Sequence, residues 1–133
     1  MMELAVHYGN PQPVRLKLIA EAHNIPQRFL VQILLQLKGS GLVISARGAA
    51  GGYLLGRSPK TITLADILDV IDRHDRPAME RRVNGSGPMS AMAVALRGVW
   101  KELQVSQRRI LEGTSLFDLA QKAREGQSQM YQI

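Results

Sequence analysis

The chain has 133 residues, is 45% hydrophobic, and carries 17 Lys and Arg against 11 Asp and Glu, a net charge of +6. That length suits one domain with an appended helix, and no apolar run approaches the roughly 20 residues that span a bilayer. With no cysteine, disulfides, thiolate metal sites, cysteine-ligated iron–sulfur clusters and thiol redox sensing are excluded; no signal peptide is expected, and a cytoplasmic location with no membrane association is.

The first eight residues read as the end of a helix (Leu4, Ala5, Tyr8) closed by Gly9 and the Asn10-Pro11 breaker. Val14 reads as a short extended residue. A helix over Leu16–His23 follows, with Leu16, Ile19 and Ala20 inward. Asn24 suits a left-handed stop and Pro26 the first turn of the next helix. That helix runs to about Lys38, with Phe29, Leu30, Ile33, Leu34 and Leu37 as its buried stripe. Leu42–Ile44 and Tyr53–Leu55 are strand candidates around the basic, glycine-rich turn Ala46–Gly52. Thr63 caps a helix over Leu64–Ile71, with Asp66 in its first turn. Residues 73–88 read as a loop. From Met89 to about Leu111 an amphipathic helix carries Met89, Met92, Leu96, Val99, Leu103 and Ile110 at three/four spacing, with Trp100 beside the stripe. A short helix over Thr114–Ala123 and a frayed tail from Gly126 complete the chain.

Two short helices joined by a tight turn, followed by a glycine-tipped hairpin, form a winged helix-turn-helix pattern. The expected fold is mainly α with a small β-hairpin. A winged helix-turn-helix domain over residues 1–72 is followed by a loop over 73–88. Residues 89–133 supply a long C-terminal dimerisation helix and a short last helix.

Charge follows the same division. Residues 1–60 hold seven bases and two acids, a net of +5, whereas residues 61–133 net only +1. A basic surface draws polyanions by steering and counterion release. On the helix from Pro26, the outward early positions are Gln27, Arg28, Val31 and Gln32. Arg pairs with guanine and Gln with adenine in bidentate fashion, and an apolar side chain meets only the thymine methyl. Arg47, beside Gly48, Gly51, Gly52 and Tyr53, suits a wing tip that tracks phosphate or enters a narrow minor groove. Lys17, Lys38, Arg57 and Lys60 are either further backbone contacts or solubilising charges.

The string Gly41-Leu42-Val43-Ile44-Ser45-Ala46-Arg47-Gly48-Ala49-Ala50-Gly51-Gly52-Tyr53-Leu54-Leu55, then Ile62-Thr63-Leu64-Ala65-Asp66-Ile67, resembles the wing and following helix of the Rrf2 family of regulators, the family of IscR, NsrR and CymR. Ile19-Ala20-Glu21, Phe29–Leu34, Val99-Trp100 and Thr114–Ala120 extend the resemblance over most of the chain. It implies a homodimer on pseudo-palindromic operators, a repressor by expectation, with the long helix crossing to its twin. Three departures stand out. Met1–Ala5 looks like the second half of the family's first helix. The three cysteines that hold a cluster in many relatives are absent, their places falling near Val94 and in residues 82–88. Val31 stands where an acidic residue is frequent. The first departure leaves open a second reading: a module without DNA binding that pairs with relatives or a partner protein and antagonises them.

Nothing else suggests catalysis or a cofactor. His7, His23 and His74 share no ligand spacing. Asp66, Asp69 and Asp72 read as a polar helix face, and Ser86, Ser90 and Ser106 lack a nucleophile-elbow context. Gly48–Gly52 lacks the Gly-Lys-Ser/Thr ending of a phosphate loop. No enzyme, metal or cofactor is expected. The expected partners are double-stranded DNA and a second copy of the chain. The stripe with Trp100 packs on its own domain or on its twin, and a lone projecting helix of this length favours the twin. An effector, small molecule or protein, is left unspecified.

Overall fold

The computed structural model describes residues 1–73 and 87–131. Its elements are α1 (Met2–Val6), α2 (Leu16–Ala22), α3 (Gln27–Gly39), β1 (Val43–Ala46), β2 (Gly52–Leu55), a 3-10 turn (Pro59–Thr61), α4 (Leu64–Asp72), α5 (Ala91–Glu112) and α6 (Leu116–Met130). The fold is mainly α with a two-stranded antiparallel hairpin, as the sequence predicts. Most of the expected loop over 73–88, with His74, lies outside the described residues.

Asn24 ends α2 in the left-handed region at φ 51°, and the Ile25 amide donates to the Ala20 carbonyl at 2.9 Å. Pro26 sits one place earlier than expected. Its ψ of 130° is extended, so it is the N-cap and the helical run begins at Gln27. On α3, Leu30, Leu34 and Leu37 are buried; at 100° per residue they span an arc of about 60°. Phe29 lies about 100° from Leu30. It is therefore off the buried stripe to which the periodicity assigned it, and is 58% exposed.

The hairpin pairs Val43 with Leu55 through Ala46 with Gly52. Val14 adds an isolated bridge on the other edge of β2: its N–H donates to the Tyr53 carbonyl at 2.9 Å, and the Tyr53 N–H donates to the Val14 carbonyl at 2.8 Å. A β-carbon on Gly52 would stand 2.4 Å from that Val14 carbonyl oxygen, so this bridge requires glycine. α4 opens with a capping box. The Thr63 hydroxyl accepts from the Asp66 N–H at 3.2 Å, and the Asp66 carboxylate accepts from the Thr63 N–H at 3.0 Å.

The last helix differs from expectation. It runs to Met130 rather than ending near Ala123. A second capping box, Ser115 with Asp118, nucleates it. The Gln, Lys, Ala, Arg and Glu that follow are strong helix formers and outweigh the ~1 kcal/mol cost of Gly126. The helix also folds back. Leu116 and Ala120 join Leu4, Ile19, Leu37, Val43 and Ile62 in a single core, and the Leu116 N–H donates to the Ile62 carbonyl at 2.8 Å. Arg124 donates from Nη2 to the Val6 carbonyl at 3.1 Å. Residues 116–120 thus pack with the first seventy residues.

In chain order between α4 and α6, α5 starts after Ser90, whose hydroxyl accepts from the Ala93 N–H at 3.2 Å. Met89 therefore precedes the helix and is not part of its stripe, a correction to the sequence reading that follows from serine's stronger preference for the N-cap. None of the 22 residues of α5 is buried.

Candidate nucleic-acid interface

α3 is held by its leucine line, which leaves Gln27, Arg28 and Gln32 exposed and Val31 half-buried. Arg28 and Gln32, four residues apart, share the face opposite the core. Between Glu21 and Asp66 the sequence has no Asp or Glu, while Arg28, Lys38, Arg47, Arg57 and Lys60 fall inside that interval. The whole span from the turn before α3 through the wing is therefore free of carboxylates that would repel phosphate.

The wing tip is Arg47 to Gly51. Arg47 is exposed, Gly48 adopts φ 104°, and the Gly51 N–H closes the turn on the Gly48 carbonyl at 2.9 Å. A side chain at φ 104° would be strained, so Gly48 fixes the bend that turns the strand back. Gly52 and Tyr53 are half-buried; Tyr53 packs on the core and carries the bridge to Val14.

The remaining predicted basic contacts fall in different settings. Lys38 is exposed in the last turn of α3. Lys17 lies 3.8 Å from Glu21 on the same face of α2. Arg57 is paired with Asp66 at 3.0 Å, and Lys60 stands over the Phe117 ring, 4.8 Å from its centroid. The structure thus groups Arg28 and Gln32 on one helix face, leaves Gln27 exposed in the first turn about a quarter-turn away, and places Arg47 at the hairpin tip. It turns Arg57 and Lys60 toward partners of their own.

One participant went unread. Arg15, the N-cap residue of α2, donates from Nη2 to the Ala49 carbonyl at 3.2 Å and so ties the wing tip to the helix-turn-helix. Its partner lies 34 residues away, a separation that no local spacing rule reaches.

The predicted pairing face lies on α5. Met92, Leu96, Val99, Trp100, Leu103 and Ile110 are each more than half exposed. At 100° per residue all but Trp100 fall within an arc of about 60°. Lys101, Gln104, Arg108 and Glu112 lie on the other side and face Leu68, Asp69 and Asp72 of α4 across an open cleft. There Arg108 meets Asp69 with two hydrogen bonds, 2.6 and 3.0 Å, and Glu112 with a third at 2.7 Å. Those carboxylates hold the Arg108 guanidinium in its charged form even more firmly than usual, Asp69 first.

A family model described as "Rrf2: Iron-dependent Transcriptional regulator" matches residues 1–122. The HTH-type transcriptional regulator CymR of Bacillus subtilis (strain 168) is 34% identical over 137 residues, covering 98% of this chain and 88% of CymR. The HTH-type transcriptional regulator IscR of Photorhabdus laumondii subsp. laumondii is 32% identical over 120 residues, covering 90% of this chain and 71% of IscR. Among solved structures, T. potens IscR superimposes with a TM-score of 0.76 at 33% identity, covering 95% of this chain and 81% of that one.

Among the described residues, the donors do not fit the iron in the family's description. No thiolate is available, and among the described residues no three His, Asp or Glu cluster as a metal site would need. Nor is any helix among those residues long and apolar enough to cross a membrane.

Proposed function

The chain belongs to the Rrf2 family of transcriptional regulators, and from that premise we infer that it acts as a homodimer on a pseudo-palindromic operator. DNA-binding transcription regulation is the activity of the family and of its HTH-type relatives, which are regulators and not enzymes.

One observation carries the dimer: a 22-residue helix with no buried residue, whose apolar stripe is turned away from its own domain. Exposed apolar patches of this extent mark interaction surfaces. A second copy offers the same stripe, which makes the contact isologous. Two recognition helices then face one side of a duplex, and half-site symmetry follows from protein symmetry. Gln27, Arg28, Val31 and Gln32 would read base edges. Arg47, at a tip shaped by Gly48 and Gly51, would reach the phosphate backbone or minor groove, and Lys17 and Lys38 would add backbone charge. Arg57 already serves Asp66, so its role there is to hold the base of the wing. Repression in the cytoplasm is the expected mode of action, by occlusion of a promoter.

The test is selection of bound duplexes from random DNA, with oligomeric state measured by ultracentrifugation for the native chain and for Leu96→Glu and Trp100→Glu. A symmetric selected site, bound by a dimer that both substitutions dissociate, supports this reading. A strictly monomeric native chain, or no enrichment of any sequence, overturns it.

A further inference from the structure

Resting on that docking, we propose that Leu35 is a base-reading residue of α3, its isobutyl group packing on the 5-methyl group of a thymine in the major groove. Side chains on α3 follow each other at 100°. The buried line Leu30, Leu34 and Leu37 fixes one side; Arg28, Gln32 and Leu35 fall on the other, at i, i+4 and i+7. Leu35 is 61% exposed, the largest value among the bulky apolar residues of this helix. Phe29 is nearly as exposed but lies about a quarter-turn off the Arg28–Gln32 line.

A single leucine on a surface is ordinary. Leu35 is distinguished by its surroundings. It continues the line of two side chains suited to base edges. The next residue on that line is Gly39, which has no side chain and where an added β-carbon would meet nothing within 4 Å, so that end of the line is open. The face carries positive charge and no carboxylate, which fits a polyanion and disfavours a basic or wholly apolar protein partner. Within the major groove the edges are donors and acceptors except for one apolar group, the thymine methyl. Leucine has no hydrogen-bonding atom to offer the rest, so the methyl is the group that its burial rewards.

Register gives the position. Arg28 and Leu35 are separated by about 10.5 Å along the helix axis, close to three base-pair steps of about 3.4 Å. The thymine therefore lies within about three steps of the base met by Arg28. A methyl–leucine contact of this size corresponds to an approximately three- to tenfold change in affinity.

The experiment replaces each thymidine of the selected operator, one at a time, by deoxyuridine, which lacks the methyl but keeps every hydrogen-bonding group. The native chain should lose three- to tenfold in affinity at the position met by Leu35 in each half-site, distinct from any thymine met by Val31. Leu35→Ala should bind thymidine and deoxyuridine equally at that position while keeping the sensitivity of any thymine met by Val31; alanine at this exposed position favours the helix, so the variant keeps its fold. If deoxyuridine is neutral throughout, or if Leu35→Ala keeps the native sensitivity at every position, Leu35 is not a reader. If the native chain selects an operator and Arg28→Ala relaxes it while deoxyuridine has no effect, the docking stands and only this inference falls. If the native chain selects nothing, both fall.

Discussion

Arg108 and Asp69 face each other across the junction of α5 and α4, two guanidinium nitrogens meeting two carboxylate oxygens at 2.6 and 3.0 Å. The fork geometry fixes orientation as well as distance. It joins the helix that carries the apolar stripe to the domain that carries the recognition helix. Because the pair is solvent-exposed, its value lies in geometry more than in stability. Arg108→Ala should leave the urea unfolding midpoint nearly unchanged. It should loosen the angle between the two half-domains of a dimer, so that inserting one base pair between half-sites costs the variant less affinity than the native chain. Equal sensitivity to spacing in both would show that the fork does not set the angle.

The wing and the recognition helix should fail in distinguishable ways. Arg28→Ala should cost roughly 1–3 kcal/mol of discrimination, about five- to 150-fold, at one base pair of each half-site. Arg47→Ala should weaken all sequences alike and lower the slope of log affinity against log salt by about one per half-site. Titrations at several salt concentrations, on the selected site and on a scrambled one, separate the two.

Gly52→Ala tests the bridge between Val14 and Tyr53. The added methyl would sit 2.4 Å from the Val14 carbonyl oxygen, and backbone, unlike a flexible side chain, yields little. A loss of about 1–3 kcal/mol in unfolding free energy is expected, together with faster exchange of the Val14 and Tyr53 amide protons. Unaltered exchange at those two amides would mean that the bridge is not formed in solution.

Asp118 supplies a pH dependence with a definite sign. Hydrogen bonds from Ser115, side chain first and backbone second, hold its carboxyl below the usual carboxylate range, with Lys122 adding a smaller pull. A carboxylate depressed in the folded state stabilises above its unfolded value, near 4, and that contribution fades as pH falls through the folded value. α6 should therefore loosen below about pH 4. Ser115→Ala should move the Asp118 titration, followed by carboxyl NMR shifts, back toward the ordinary range.

Leu116, 1% exposed, is the strongest single test of the core. Leu116→Ala should cost about 2–5 kcal/mol in urea unfolding, whereas Met92→Ala, at the most exposed stripe position, should leave the stability of the monomer almost unchanged.

Much of this architecture could be read from local rules, and what escaped was long-range. Asn24, the Thr63 cap and the glycine-tipped hairpin are set by short-range stereochemistry, so their residue types announce them. The α5 stripe is equally legible, because it depends only on the 3.6-residue period. Phe29 was misassigned because a stripe of apolar residues can be one position too wide, and only packing shows which edge faces inward. Leu35 belongs to neither the stripe nor the named outward set, because only the early turns of the helix are expected to meet base edges, although its angle places it outward. Met89 was counted on the helix because periodicity does not mark where a helix begins, and the Ser90 cap does. Arg15 and its bond to Ala49, like Leu116 against Ile62, join residues far apart in sequence, and no spacing encodes them.

The return of α6 to the core has a consequence for how the molecule comes into being. Synthesis proceeds from the first helix onward, yet Leu116 and Ala120 are among the pieces that close the interior around Leu4 and Ile62. The helix-turn-helix and its hairpin therefore cannot be completed until α5 has already left the ribosome. A fragment cut anywhere between α4 and α5 would be born with a hole in its centre, so this reading head cannot be lifted out and grafted onto another protein without carrying its last helix along.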